Sequence, residues 1–600
     1  MNRFHVGLIG LALLAGCNSG AVSTARPAKI KPPAGEELAD FVHDILQKST
    51  DAASCRRLIE QINAAMERPG STLKIESLAG EQRNKLGKEL ALSPREVDEV
   101  GRSEFTPLDA YALEEAFFFR DAAKALDIAT LSPIERAQAA LDWTVRTVIL
   151  LDSPNPAAPP VFVALRGFGN GLERTYVFLA LLRQLDLDAA LIGDPSGQSS
   201  GIWGVAVRTD DGVYVFDARL GLPLRTSNGS VATLAQVRND KSVLDALNVN
   251  GGPAYDVTLE RAKASQVFVA EPLSTLSSRL KFLQGYLPSG SGRITSDIDG
   301  LSERMKRASQ GAGYEGMEVK TWNSPAPDAW QRALMTFLPP AEGGTDRVEG
   351  GPGRRDRFLL DQVPWGVVPP FLLQLSGEPG DRVRQNTVAR LLGFRQPGQA
   401  RDLLLRGRFQ EATEQLVAGQ AKFANRTYDE KEIERRSQEW ADYARQFSAE
   451  LLRAERTLKA DPTATNQAAV EEAKKHIDNV WKNGSVVITY LEILTAPTVN
   501  EEITFLLALS KHEQAVRGAH RSGAKKDPAA WETTRKWWLQ FLNEFPNSGR
   551  VGAARSNLAA ALAGEGNAAA AKAEYTAAAN LPNAAALERL ANRLRAQSVR

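Results

Sequence analysis

Arg166 to Leu191 reads RGFGNGLERTYVFLALLRQLDLDAAL, a glycine-broken turn running into a segment that is apolar on nearly every face. A helix that is hydrophobic all round must be buried, so this segment belongs at the centre of a domain. Asn170 stands where an N-cap is needed, its side-chain oxygen able to accept from the first free amides of that helix. Upstream, Ser132 to Val148 predicts a second helix, with Ser132 as cap, Pro133 in the first position and Glu135 completing a capping box. Ala137, Leu141, Val145 and Val148 then line one face of it. Downstream, Ile202–Arg208 and Val213–Asp217 are short β-rich runs joined by Thr209, Asp210, Asp211 and Gly212, which is hairpin chemistry. Helix, turn, buried helix, strand, strand is an α+β order.

That order, with its residues, resembles the transglutaminase-like (papain-like) superfamily. The family core has a Gly-x-Cys turn opening the central helix, a His-x-Trp strand and an Asp closing the next strand. With the helix end at Leu181-Leu182-Arg183 setting the register, the resemblance places the nucleophile near Gly171, and no residue from Phe168 to Arg174 is Cys, Ser or Thr. Gly201-Ile202-Trp203 matches His-x-Trp with Trp203 kept and the histidine replaced by Gly201. Asp217, in Val215-Phe216-Asp217-Ala218-Arg219, matches the third member. The resemblance thus implies a degenerate site of Gly171, Gly201, Trp203 and Asp217: an orienting acid without the pair it would orient, and no catalytic residues.

The residue census agrees with that absence. A thiol mechanism needs a thiolate and an imidazole beside it to depress the thiol pKa and protonate the leaving group. The five histidines are His5, His43, His476, His512 and His520, and the two cysteines are Cys17 and Cys55. His43 and Cys55 fall on one expected helix, where twelve positions at about 1.5 Å each separate them by roughly 18 Å.

At the N-terminus, Arg3 precedes a ten-residue apolar run, Val6 to Ala15, and Leu14-Ala15-Gly16-Cys17 looks like a bacterial lipobox. The run is too short to span a bilayer and reads as a signal-peptide core. Residues 1–16 are therefore expected to be removed and Cys17 to be lipidated, since two or three acyl chains anchor stably where one does not. Residues 17–35, rich in Ala, Ser, Pro and Lys, read as a tether. Asn18, where proteobacterial inner-membrane retention uses aspartate, favours the outer membrane, facing the periplasm. A lipidated Cys17 leaves one free thiol, so the folded chain is expected to rest on apolar burial without a disulfide.

The remaining chain divides into a helical region at 36–131, the central domain and its extension at 132–340, a Gly-rich linker at 341–357 and an all-α, repeat-like region at 358–600. Phe117, Phe118 and Phe119 are expected in a helix packed beside the central domain, and Val231 to Leu247 in a small helical appendage. Pro364-Trp365-Gly366 interrupts an apolar run and reads as buried packing. Near 399–423, Ala400, Leu403, Gly407, Phe409, Ala412 and Leu416 fit one frame. Near 555–582, Ala559, Leu562, Gly566, Ala568, Ala571, Tyr575 and Ala578 fit the same one. The frame resembles the tetratricopeptide repeat, in which small residues let two helices approach and a glycine closes the turn. Trp531, Trp537, Trp538, Phe541, Leu542 and Phe545 precede the second match as an aromatic stripe that reads as core. A stacked array needs about three repeats, so irregular helices such as Asp429 to Leu458 would complete it.

A net charge of +1, from 73 basic and 72 acidic residues, argues against a nucleic-acid surface. Scattered histidines and solitary cysteines give no metal site and no cofactor is implied. Glu114 and Glu115 are adjacent on an expected helix and point to different faces, so they form no acid–base pair. Three expectations follow. The first is a non-catalytic, lipid-anchored envelope protein with a protein or peptide partner, its groove beside Trp203 either widened by Gly171 and Gly201 or packed shut with the domain as a spacer. The second is an envelope hydrolase or acyltransferase with a relocated site, such as Asp217 with Ser199 or Ser200. The third is a structural subunit of an envelope assembly.

Overall fold

The computed structural model describes residues 52–321, 395–423, 446–521 and 527–599, less gaps at 70, 72, 91, 152–158, 288–291 and 448. Residues 1–16, Cys17, the 17–35 tether, His43, the 341–357 linker, Pro364-Trp365-Gly366 and most of Asp429 to Leu458 lie outside them. Among the described residues, 52–321, 403–409 and 508–599 form one compact unit, and 395–402, 410–423 and 446–507 belong to a second.

The first unit is α+β. Two-residue strands β1 (Ile149–Leu150) and β2 (Phe168–Gly169) pair in parallel ahead of the central helix, Gly171–Gln184. The main sheet comprises β3 (Asp188–Gly193), β4 (Ile202–Arg208), β5 (Val213–Asp217), β6 (Leu222–Pro223), β7 (Gln266–Val269) and β8 (Val319–Thr321). Its order is β6-β5-β4-β3-β7-β8, antiparallel except for β7 with β8. The expected hairpin is β4 with β5: Val205 faces Phe216, Arg208 faces Val213, and the Thr209 amide donates to the Gly212 carbonyl at 2.9 Å.

Both expected helix starts are present. Ser132 accepts from the Glu135 amide while the Glu135 carboxylate accepts from the Ser132 amide at 2.9 Å, opening the helix Pro133–Thr147. Asn170 and Glu173 make the same reciprocal pair, each bond 2.9 Å long. Every residue from Glu173 to Arg183 is buried, so the charges of this helix must find partners inside the protein. Glu173 takes Arg166 at 2.6 Å, Arg174 takes Glu588 at 2.8 Å and Arg183 takes Glu271 at 2.6 Å.

Phe117, Phe118 and Phe119 are fully buried in the helix Pro107–Leu126, and Phe117 joins a core with Leu58, Ile62, Phe105 and Leu283. The appendage is the helix pair Leu234–Asn239 and Lys241–Asp245. Towards the C-terminus the unit holds the helices Pro528–Glu544, Val551–Glu565, Ala568–Ala579 and Ala586–Ser598. Of the aromatic stripe expected as core, Trp531, Trp538 and Phe541 are buried, while Trp537, Leu542 and Phe545 are half-buried. Gly566 closes the turn between the second and third of these helices at φ +89°, a left-handed conformation that a Cβ disfavours. Ala559, Ala571 and Ala578 are fully buried where the helices meet. The last helix places Leu590 and Ala591 in the same core as Trp203, Val213 and Val215, so it completes the central sheet domain.

In the other frame, Ala400, Leu403, Ala412 and Leu416 are buried on the helices Arg395–Leu405 and Phe409–Phe423, with Gly407 at φ +80° between them. A 58-residue helix, Ala464–Arg521, follows. No helix among the described residues is long and apolar enough to cross a membrane.

Candidate functional site

Asp217 ends β5 and is fully buried. Its Oδ1 accepts from the backbone amides of Arg219 at 2.9 Å and Leu220 at 3.0 Å, and from Arg219 Nε at 3.2 Å. Its Oδ2 accepts from Arg219 Nη2 at 2.9 Å and from the Tyr255 hydroxyl at 2.8 Å. A carboxylate offers about four lone-pair positions, so Asp217 has nothing left with which to orient another group.

Arg219 carries the network outward. Its Nε also donates to the Trp203 carbonyl at 3.0 Å, and its Nη1 and Nη2 donate to Asp256 at 2.9 and 3.1 Å. Burial opposes its charge, but the Asp217 carboxylate and then Tyr255 outweigh that, and the guanidinium pKa lies above its ordinary value. Burial, reinforced by the Asp217 charge, pushes the Tyr255 phenol well above its usual range, which keeps it a donor. For Asp256, burial is offset by the bonds from Arg219, which hold its carboxyl below the ordinary range.

The two glycines meet this network directly. A Cβ on Gly171 would stand 3.0 Å from Arg219 Cγ and 3.2 Å from Arg219 Cβ. A Cβ on Gly201 would stand 3.0 Å from Asp194 Oδ2. Asp194 in turn accepts from Arg261 Nε at 2.9 Å, and Arg261 donates to the Gly201 carbonyl and to Asp256, both at 3.2 Å. Trp203 is fully buried, and its Nε1 donates to Ser265 Oγ at 2.8 Å. Ser265 then donates to the Arg261 carbonyl at 2.7 Å.

Gly171, Gly201, Trp203 and Asp217 are therefore brought together, linked by Arg219 and Arg261. The space beside both glycines is occupied, by the Arg219 stem at one and Asp194 at the other. Ser199 and Ser200 lie in the short turn Ser199–Gly201, with Ser200 exposed. Asp217 is already saturated and supplies no base to a serine.

The other chemical groups lie elsewhere. Cys55 is buried in the helix Ala52–Met66 and forms no disulfide. His512 is buried, and its Nδ1 accepts from Trp538 Nε1 at 3.2 Å; burial and then Arg146 push its pKa well below the ordinary value, so it is neutral core. His520 Nδ1 lies 2.9 Å from the Leu126 carbonyl. Among the described residues no group of His, Cys, Asp and Glu is placed to hold a metal ion.

Sequence reasoning missed Arg219, Tyr255, Asp256, Arg261 and Asp194. Arg219 had a local signal: two positions after an aspartate at a strand end, it can fold back on that carboxylate. Tyr255, Asp256 and Arg261 reach the site through tertiary structure alone. No protein-family model, curated protein or solved structure matches this chain.

Proposed function

We propose a non-catalytic, lipid-anchored protein of the bacterial envelope, held by Cys17, whose decayed transglutaminase-like domain and repeat-like helices bind a protein or peptide partner. The observation that carries the non-catalytic reading is Arg219. Its stem lies against Gly171, where the resemblance would put a thiol, and its guanidinium occupies the acid that would have oriented an imidazole. A site between active states would keep one member of the dyad or leave Asp217 free; here Asp217 is spent on structure. The filled groove favours partner recognition by the outer faces of the domain and the helical region over threading of a peptide past Trp203.

The test uses the full-length protein extracted from envelope membranes. Acylation of Cys17 is read as an intact mass increase lost in Cys17→Ala, and thiol- and serine-directed probes are expected to give no labelling at the central site. A partner is expected to co-purify from the same membranes after cross-linking. Probe labelling at Ser199 or Ser200 would replace this reading with a relocated hydrolase, and failure to retain any protein or peptide would remove the binding role.

A further inference from the structure

At the C-terminal end of the central helix, away from Asp217, four segments line a partly open cavity of about 20 Å³. Glu115, Ala116 and Phe119 come from the helix Pro107–Leu126, Arg183 and Gln184 from the central helix, Thr275 from the turn after β7, and Arg293 from a later loop. That volume holds one water or one monatomic ion. Arg183 is more than nine-tenths buried, and its Nε has no hydrogen-bond partner. A buried guanidinium N–H left unmatched is rare enough to point to a missing acceptor.

We propose that this cavity is a site for a small inorganic anion of the size of chloride, taken up when Glu115 is protonated. Charge balance carries the linkage. Arg183 is paired with Glu271 at 2.6 Å, which leaves Arg293 and Glu115 as the other charges at the cavity. With Glu115 ionised these four cancel, and the cavity needs only water. Once Glu115 is neutral the site has a net positive charge, and Arg183, one of its lining residues, carries an unmatched donor. Of the packed neighbours, Arg166 is committed to Glu173, while on Glu115's own helix Arg120 pairs with Asp121, which also takes Arg406 at 3.0 Å. Burial raises the Glu115 carboxyl to about 7, opposed by Arg183 and by a bond from the Val161 amide. The folded state therefore binds more protons than the unfolded chain between about 4.5 and about 7, so this carboxyl favours folding below that window and loses the contribution as pH rises through it.

The test is halide binding to the full-length protein by ³⁵Cl NMR line broadening, with sodium gluconate matching ionic strength. With a Glu115 pKa of about 7, chloride affinity is expected to be about 30-fold higher at pH 5.5 than at pH 8.5. Glu115→Gln fixes the neutral form and is expected to bind equally at both pH values. Arg293→Gln, on the less buried wall, is expected to weaken binding at both. A bromide anomalous peak between Arg183 and Arg293 at pH 5.5 locates the ion. Equal broadening by wild type at both pH values, a retained pH dependence in Glu115→Gln, or no broadening at all overturns the proposal.

Discussion

The two ends of the central helix treat buried charge in opposite ways. At its N-terminal end, Asp217 is fully buried yet receives five donors, from Arg219, Leu220 and Tyr255. At its C-terminal end, Glu115 faces Arg183 with fewer bonds, and burial raises it to about 7. Burial raises Glu115, which has few fixed donors, whereas every lone-pair position of Asp217 is filled. The N-terminal end, where the resemblance would place acyl-transfer chemistry, holds its acid in the denser set of bonds, and the carboxyl raised towards neutrality stands at the other end.

That contrast breaks most sharply at Asp217. Removing its carboxylate takes the acceptor from Arg219 Nε and Nη2, two backbone amides and the Tyr255 hydroxyl inside the protein, although Arg219 keeps Asp256, and breaking a buried pair from one side costs about 3–5 kcal/mol. Asp217→Ala is expected to lower urea stability by that amount, and Arg219→Met in the same background to recover part of it, because the two side-chain donors that lost Asp217 go with it. A loss under about 1 kcal/mol would mean that the network is ornamental. The next effect concerns Glu588. Its Oε1 accepts from Arg174 Nη2 at 2.8 Å and from the Leu150 amide at 3.0 Å, tying the last helix to the central one. Arg174 keeps the Val148 carbonyl, to which Nε and Nη2 donate at 3.0 and 2.6 Å. Glu588→Ala is therefore expected to cost less than Asp217→Ala, about 1.5–3 kcal/mol, the range for hydrogen bonds to charged groups. The unfolding curve is expected to show the last helix and the sheet melting together, since Leu590 and Ala591 share the core of Trp203.

How much of this was legible in the sequence follows from the range of the forces involved. The helix starts at Ser132 and Asn170, the hairpin at Thr209–Gly212 and the turn at Gly566 are local, set by residues within about four positions, and the structure has each where its sequence signal stands. What a single sequence cannot display is a charge whose partner lies tens to hundreds of residues away. Glu588 looks like one more charge on a solvated helix until Arg174 is found beside it, and Arg183 with Glu271 reads the same way. The boundary expected at 341–357 marks a change of composition, whereas residues 508–599 return to the unit containing the sheet. Composition records where the chain becomes helical and says little about which core those helices complete.

The smallest effect is the one that separates a site missing two side chains from a site rebuilt for another purpose. In Gly171→Cys with Gly201→His, each new Cβ would meet a side chain at 3.0 Å, Arg219 at one position and Asp194 at the other. At Gly171 the atoms met are the root of the Arg219 side chain and at Gly201 the Asp194 carboxylate, so the expected cost is about 1–2 kcal/mol of overpacking. The chemistry is expected to stay absent even though both residues are restored. The imidazole would find its acid already bonded to Arg219 and Tyr255, and a histidine without that partner is not held in the orientation a thiol requires. Intact mass spectrometry after incubation with an activated acyl donor is expected to show no more acyl-enzyme at the introduced thiol than Gly171→Cys gives alone. Turnover in the double variant would mean that the network gives way to a dyad as soon as one is offered, and that the bonds of Asp217 to Arg219 and Tyr255 are not what keeps the chemistry absent.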